Sequence, residues 1–386
     1  IGVTGTNGKT TTVGMLRHLL DEDGARCASI GTLGVLVGTE ATVFPGGSGL
    51  TTPGPVELQR LFAELSASSV RTVVMEVSSH ALEQQRVRGV SFRVVVFTNF
   101  TRDHLDYHGS MDAYFATKAS LLELLAPNGV AVRNADDPAW EALGKAPRWV
   151  SFGARSPEAD VTARDVKFTP RGSHWTLSAF GEAHRVRLPF IGDFNIANAL
   201  GAAAAANAAG LAWETVAIRL STMPQVPGRL EILAEHPTVL RDYAHTPDAL
   251  ERALLALRPY AAGALIVCFG AGGDRDKGKR PLMAQVADRL ADKIVVTSDN
   301  PRTEDPERII DEIVAPLPET RYERIEDRRK AIARAIAMAD PSRDVVLLAG
   351  KGHETYQVRG TEKLPFDERV IVRDVMRERA TAGARA

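Results

Sequence analysis

The densest run of chemistry-bearing residues opens the chain: Gly5-Thr6-Asn7-Gly8-Lys9-Thr10-Thr11-Thr12. Glycines let successive backbone N–H groups face one ligand, a helix starting there adds positive potential, and a lysine reaches outer phosphates. A threonine hydroxyl next to that lysine suits Mg²⁺. The spacing is Gly-x-x-Gly-Lys-Thr, a variant of the phosphate loop with Val3 where the strict pattern has glycine. A structural glycine turn is the competing reading, and the strand-then-helix context argues against it. A second set of polar residues ends two apolar runs. Glu76 closes 73–75 and precedes Val77-Ser78-Ser79-His80, and Thr98-Asn99-Phe100-Thr101-Arg102-Asp103-His104-Leu105-Asp106 closes the next run. Ligands bind at the carboxyl ends of parallel strands. Mg²⁺ takes few carboxylates, completing its shell with water and phosphate. By residue type alone, His104 reads as a metal ligand or as a structural loop histidine, with the structural reading ahead. Lys118, in a helical stretch, reads as a solvated surface lysine.

The C-terminal half carries a second group. Ser298-Asp299-Asn300-Pro301-Arg302 follows the apolar run 294–296. It is either a proline-stiffened turn opening a helix or a site where the arginine fork holds a carboxylate. The loop Gly272-Gly273-Asp274-Arg275-Asp276-Lys277 is rich in charge. Read as a nucleic-acid patch, the Arg/Lys-rich stretch Arg275 to Arg280 lacks interleaved aromatics, and 47 Lys plus Arg against 48 Asp plus Glu leave a net charge of -1.

Elements must position these groups. The runs 72–77 and 93–98 read as strands buried on both faces of a parallel sheet, with helices over 10–20 and 55–66. From 161 to 190 the pattern alternates, predicting a small antiparallel sheet inserted in or appended to the parallel one. An alanine-rich helix follows, over about 195–210, then a Pro/Gly linker at 223–228. Strands return at 239–243, 264–269, 293–297 and 344–348, with helices over 248–257, 282–291, 307–314 and 328–338. That alternation predicts a second, Rossmann-like sheet. The fold class is α/β in two domains, 1–226 and 227–386. The 386 residues suit two or three domains at roughly 150 each. Two cysteines, Cys27 and Cys268, predict no disulfide framework and fit a reducing cytoplasm. No run of about 18 apolar residues predicts a membrane span. The short strand before Gly5 and the Ile at position 1 suggest that an upstream part is missing.

Taken in order, these motifs resemble the Mur ligases, ATP-dependent amide ligases that build the peptidoglycan stem peptide. The resemblance adds Tyr114, Gly192-Asp193-Phe194-Asn195-Ile196-Ala197-Asn198, Gly228-Arg229-Leu230-Glu231 and Asp242-Tyr243-Ala244-His245-Thr246-Pro247, and runs from residue 5 to about 354. It implies the last two of three family domains: a central P-loop ATPase with a mostly parallel sheet, and a Rossmann-like domain that receives the incoming amino acid.

The resemblance also implies roles. Gly5, Thr6, Asn7, Gly8, Lys9, Thr10 and Thr11 would hold ATP, with Lys9 on the β- and γ-phosphates. Asn195, Asn198, Arg229 and Asp242 match nucleotide-pocket positions, and His245 would help place nucleotide or acyl phosphate. Thr10, Glu76 and His104 would bind Mg²⁺, together with Lys118 carbamylated by CO₂, which reverses the surface reading of that lysine. Thr51, Thr52, Ser78, Gln84 and Arg86 match contacts to UDP-MurNAc-L-Ala-D-Glu. Gly228 stands where some other branches have histidine. The Asp299-Asn300-Pro301-Arg302 run resembles the branch that adds meso-diaminopimelate, with Arg275, Gly350 and Glu354 at further contacts to that acceptor. The implied reaction proceeds through an acyl phosphate. The lysine-adding, D-Ala-D-Ala-adding and folylpolyglutamate ligases, and a nucleotide switch that ligates nothing, are the alternatives. A cytoplasmic monomer with no nucleic-acid or membrane partner is expected.

Overall fold

The computed structural model of the chain describes residues 1–47, 49–169 and 172–383. It divides into two compact units, Ile1–Pro224 and Gln225–Ala386.

Among the described residues the first unit is built on an eleven-stranded sheet. In chain order its strands are β1 (Gly2–Thr4), β2 (Arg26–Gly31), β3 (Gly34–Val37), β4 (Thr42–Val43), β5 (Val70–Glu76), β6 (Phe92–Phe97), β7 (Leu125–Asn134), β8 (Arg148–Gly153), β9 (Val161–Thr169), β10 (Gly172–Ala179) and β11 (Glu182–Leu188). Across the sheet the order is β11-β10-β9-β8-β7-β6-β1-β5-β2-β3-β4. The strands from β9 through β1 to β2 pair in parallel. β10 and β11 extend one edge antiparallel, and β3 and β4 the other. The antiparallel part expected over 161–190 is thus appended to the parallel sheet. Along β10, Trp175, Leu177 and Ala179 are buried, as a period of two requires.

The short strand β1 lies between β5 and β6, and all three of its residues are buried. The chain reverses its direction of travel across the sheet at this point, so a crevice opens beyond the carboxyl ends of β1, β5 and β6. The helix Lys9–Leu20 leaves β1 there. The helix Pro55–Ala67 buries Leu58, Leu61 and Leu65, one stripe at helical spacing. The helix Asp193–Ala208 buries Ala202, Ala203, Ala204, Ala205 and Ala206 against Lys9–Leu20 and strands β6 to β9. Its small side chains let the backbone approach closely: a Cβ on Gly201 would sit 3.0 Å from the Phe152 ring.

Among the described residues the second unit has a six-stranded sheet of β12 (Glu231–Glu235), β13 (Thr238–Asp242), β14 (Leu265–Phe269), β15 (Lys293–Val296), β16 (Tyr322–Arg324) and β17 (Val345–Ala349). Its order is β12-β13-β17-β14-β15-β16, parallel except for the edge strand β12. A hairpin of β18 (Tyr356–Arg359) and β19 (Glu362–Pro365) stands apart from that sheet. All five residues of β14 and of β17 are buried, which is why they read as unbroken apolar runs. The helix Glu368–Gly383 closes the unit; its charged composition hid it from the sequence reading. No helix among the described residues is long and apolar enough to cross a membrane. Cys27 and Cys268 are buried, unbridged thiols, one in each unit.

Candidate active site

In the first unit the phosphate loop follows β1. Gly8 caps the helix Lys9–Leu20 in the left-handed region, at φ 82°, with no side chain bonded to the first turn. Other helices are closed by their own side chains: Ser78 accepts from the Ala81 N–H, Ser110 from Ala113 and Thr246 from Ala249. The first turn after Gly8 therefore carries no side-chain cap, the arrangement in which a helix start receives an anion. A Cβ at Gly8 would lie 2.3 Å from Asn198 Oδ1, and one at Gly5 only 1.9 Å from Thr98 Oγ1, so both glycines are required by close approach.

The loop's shape is set from β6. Thr98 Oγ1 donates to the Asn7 carbonyl (2.7 Å), Asn99 Oδ1 accepts from the Asn7 N–H (2.8 Å), and the Asn99 carbonyl accepts from the Thr6 N–H (2.7 Å). Sequence reasoning quoted Thr98 and Asn99 without giving them this role; their position at a strand end was the available signal. Asn198 donates to Asn195 Oδ1 (3.0 Å), and Asn195 to the Ile191 carbonyl (2.8 Å), which holds the asparagine pair against the loop. Thr11 is buried in the first turn.

Two ammonium groups converge on one carbonyl. Lys9 Nζ donates to Gly5 O (2.9 Å) and Thr6 O (2.8 Å), and Lys118 Nζ donates to the same Gly5 O (2.8 Å). Lys118 lies on the helix Met111–Ala119, 1% exposed, with its ammonium 4.6 Å from the centre of the Tyr114 ring. This corrects the residue-type reading of a solvated lysine. Burial holds its pKa well below the usual lysine value, Lys9 pushes the same way, and Asp103 offsets this in part. A buried amine beside another cation is driven toward its neutral, nucleophilic form.

Glu76, the last residue of β5, is 1% exposed. Its carboxylate accepts from Thr10 Oγ1 (3.1 Å), the Thr32 N–H (2.8 Å) and Thr32 Oγ1 (3.2 Å). A carboxylate and a threonine hydroxyl at the phosphate loop form a hard-oxygen pair that fits Mg²⁺. His104 takes a left-handed backbone (φ 52°) at the start of the short helix Leu105–His108. Its ring stacks edge-on to His80 at 4.7 Å and its Nε2 is 3.4 Å from Asp103. Its pKa is lowered, first by desolvation; Asp103 opposes, while His80, Lys9 and Lys118 add to the lowering, so the neutral imidazole that a metal binds is favoured. Among the described residues no three His, Cys, Asp or Glu side chains meet closely enough to hold a metal alone. A metal here would complete its shell with phosphate and water.

The positions assigned to the sugar-peptide gather beside Glu76. Thr52 Oγ1 donates to the Glu76 carbonyl (2.8 Å) and accepts from the Ser78 N–H (3.2 Å). Thr51 meets Thr32 at 3.3 Å. Arg86 donates to the Thr52 carbonyl (3.1 Å) and to Gln84 Oε1, and Gln84 donates to the Tyr107 hydroxyl (3.1 Å).

In the second unit the candidate residues lie at the carboxyl ends of β13, β14, β15 and β17. After β13, Asp242 accepts from the Leu230 N–H (2.7 Å), and burial raises its carboxyl to about 6 against the pull of Arg229. Arg229 stacks over Tyr243 at 4.8 Å, and His245 Nδ1 meets the Tyr243 carbonyl at 2.7 Å. Gly228 has φ 67°, and a Cβ there would strike the His353 backbone nitrogen at 2.2 Å. No larger residue fits this position without a shift of that backbone.

After β15, Asn300 donates to Glu354 Oε2 (2.8 Å) and accepts from Lys351 Nζ (2.9 Å) and the Val358 N–H (2.9 Å). Gly350 brings the β17 loop so close that a Cβ would sit 2.4 Å from Asp299 Oδ2. Arg302 has φ 53°, and its guanidinium donates to the Gly273 carbonyl (2.7 Å). A Cβ on Gly272 would lie 2.9 Å from Arg302 Nη1 and 3.6 Å from Arg275 Cγ, which puts the two arginines side by side. Arg275 is exposed. Pro301 stiffens the turn: its carbonyl accepts from the Glu304 N–H (3.1 Å).

Sequence reasoning missed the charges beneath. Arg280, fully buried, donates to Glu304 and Glu312 and to the Gly272 carbonyl (3.1 Å). Arg328 and Glu368 form a fully buried pair at 2.9 Å, and Arg328 also reaches the Ala349 carbonyl (2.9 Å). Neither arginine carries a local pattern that distinguishes it from a surface residue.

The fold and geometry agree with comparisons to known proteins. Residues 3–206 match the Mur ligase middle domain, and residues 228–352 the Mur ligase glutamate ligase domain. A UDP-N-acetylmuramoyl-L-alanyl-D-glutamate–2,6-diaminopimelate ligase from Synechococcus elongatus is 46% identical, over 99% of this chain and 77% of its own length. One of the same name from Geobacillus kaustophilus is 43% identical, over 98% of this chain and 79% of its own. A solved structure of that name superposes with a TM-score of 0.69 at 34% identity, covering 98% of this chain and 78% of that one. A Mycobacterium tuberculosis folylpolyglutamate synthase shares the fold, with a TM-score of 0.71 at 20% identity, over 91% of this chain and 87% of that one. The chain belongs to the Mur ligase family of ATP-dependent ligases.

Proposed function

We propose that this chain joins meso-diaminopimelate to the γ-carboxylate of D-Glu in UDP-MurNAc-L-Ala-D-Glu, with ATP cleaved to ADP and phosphate. The observation that carries the acceptor assignment is the turn 299–302, where Arg302 lies beside Arg275 and Asn300 is bonded to Glu354. Diaminopimelate differs from lysine by one carboxylate. An arginine fork holds that group, and leaving the fork unfilled by lysine costs binding energy. Glu354 accepts from the ammonium at the same end. The naming of the relatives points the same way.

In the reaction a γ-carboxylate oxygen attacks the γ-phosphorus of ATP, and the bond to the β-phosphate oxygen breaks, releasing ADP. The amine then attacks the acyl carbon, the C–O bond to phosphate breaks, and the proton leaves from nitrogen. The N–H groups after Gly8 receive the phosphates, and Lys9 turns from the Gly5 and Thr6 carbonyls to the β- and γ-oxygens. Asn195 and Asn198 brace the phosphate loop, and in the second unit Arg229, Asp242 and His245 take the nucleotide-pocket roles that the resemblance implies. Thr51, Thr52, Ser78, Gln84 and Arg86 orient the dipeptide carboxylate. Thr10, Glu76 and His104 would hold Mg²⁺, which neutralises charge on the transferred phosphoryl group. Lys118 is the site of carbamylation: its neutral amine adds to CO₂ and loses a proton, turning a crowded cation into an anion that suits the adjacent metal. Mass spectrometry of the intact protein should find the added carboxyl on Lys118; an unmodified lysine in active protein discards this part.

The experiment is phosphate release from ATP with UDP-MurNAc-L-Ala-D-Glu and one acceptor at a time. Release that requires meso-diaminopimelate supports the reading. Release with lysine or D-Ala-D-Ala instead discards the acceptor assignment, and release independent of any acceptor discards ligation. An Arg302→Ala variant that still prefers diaminopimelate over lysine as strongly as before overturns the role of the fork.

A further inference from the structure

We infer that Lys351 is a positioning residue for the acceptor amino acid, acting by holding Asn300 and Glu354 in one arrangement. This inference rests on the acceptor reading above and deepens it. Lys351 follows Gly350 at the end of β17 and is 0% exposed. Its ammonium donates to Asn300 Oδ1 (2.9 Å) and Glu354 Oε2 (3.0 Å), and lies 3.9 Å from Asp299 Oδ1. All three partners belong to the candidate acceptor site.

The arrangement has two consequences. First, an asparagine amide presents different groups depending on which way it faces. With Oδ1 held by Lys351 and by the Val358 N–H, Nδ2 must face Glu354, where it donates at 2.8 Å. Glu354 Oε2 therefore receives two protein donors, and Oε1 is left to take an ammonium from the acceptor. Second, charge is balanced: Asp299 and Glu354 against Lys351 leave one negative unit, which one incoming ammonium matches. Without Lys351 two carboxylates crowd together, and the buried cation that acts on Asp299, Arg328, is already paired with Glu368.

The loops do not depend on Lys351 for their course. Gln357 Nε2 holds the Asp299 carbonyl (2.7 Å), and Arg328 holds the carbonyls of Ser298 (3.4 Å) and Ala349 (2.9 Å). Lys351→Met keeps the length and apolar stem while removing the charge, so the expected lesion is local.

The test is steady-state kinetics of phosphate release by the purified protein with ATP, UDP-MurNAc-L-Ala-D-Glu and meso-diaminopimelate. In Lys351→Met the KM for diaminopimelate should rise roughly 10- to 100-fold, the scale of a lost charge-assisted hydrogen bond, with the KM for ATP unchanged. Lys351→Arg should recover most of the loss. In a Glu354→Gln background the Lys351→Met change should add little, because its effect passes through Glu354. An unchanged KM for diaminopimelate overturns the inference, as does a parallel rise of both KM values with a fall in kcat, or full additivity with Glu354→Gln. If Lys351→Met does not fold, Lys351→Gln is scored by the same criteria. Should the unaltered protein show no diaminopimelate-dependent release, the functional reading fails first and the role of Lys351 falls with it.

Discussion

The phosphate loop of the first unit and the acceptor loops of the second are built at the same place, the carboxyl ends of parallel strands, by opposite means. The phosphate loop is shaped by neutral groups: Thr98 and Asn99 grip the Asn7 backbone, and Thr52 ties Glu76 to Ser78. Its two cations, Lys9 and Lys118, share one backbone carbonyl. The acceptor loops rest on charges already matched: Lys351 with Glu354, Arg280 with Glu304 and Glu312, Arg328 with Glu368. The ligands explain the difference. A phosphate is bound by backbone N–H groups and positive charge alone, whereas an amino acid carries both signs and needs both signs held in register.

Substitutions that remove charge should separate the two regions. The largest effect is expected for Lys9→Met, which removes the phosphate-loop ammonium. Phosphate release should fall about 10³-fold or more, while nucleotide-free stability changes little. A loss of under about tenfold would mean that the loop works through its N–H groups alone. Next is Glu368→Gln, which strips the partner from a fully buried arginine. Denaturant melting should show the second unit destabilised by roughly 3–5 kcal/mol. The comparable change in the first unit, Thr98→Val, removes neutral hydrogen bonds and should cost only about 1 kcal/mol each. Equal costs would erase the contrast.

The pH dependence gives a third, somewhat smaller effect. Burial raises the Asp242 carboxyl from 3.8 to about 6. Between those values the folded state binds more protons than the unfolded one. The contribution is therefore fully present below pH 3.8 and is lost as the pH rises through 6, on the order of 2–3 kcal/mol. Denaturation at pH 4 and pH 7 should show that fall in the parent and a flatter profile in Asp242→Asn. The smallest effect is steric. Gly228→Ala should cost about 1–3 kcal/mol through its positive φ and its clash with the His353 backbone. Gly144→Ala, whose Cβ meets nothing within 4 Å, should be neutral.

Much of the molecule was legible beforehand, and the reasons are local. Strands buried on both faces, such as 265–269 and 345–349, read as unbroken apolar runs, and the helix Pro55–Ala67 repeats leucine at helical spacing. Edge elements were harder: β4 is two exposed residues, and in the helix Glu368–Gly383 seven of sixteen residues are charged. Among site residues, those adjacent to a strand end announced themselves, as Glu76 and Asp299 did. Lys118 did not, because nothing in Tyr114-Phe115-Ala116-Thr117-Lys118 tells a buried lysine from a surface one.

What the sequence determined by itself was the set of strand-end motifs and the alternation of strands and helices, because phosphate loops and buried parallel strands depend on neighbours within a few residues. Only the tertiary structure decided which distant groups meet. Lys118 reaches Gly5 across 113 positions, Asn300 reaches Glu354 across 54, and Arg328 reaches Glu368 across 40. The physical reason is that a charge's environment, and with it the group's protonation and reactivity, is set by whatever the folded sheet places around it.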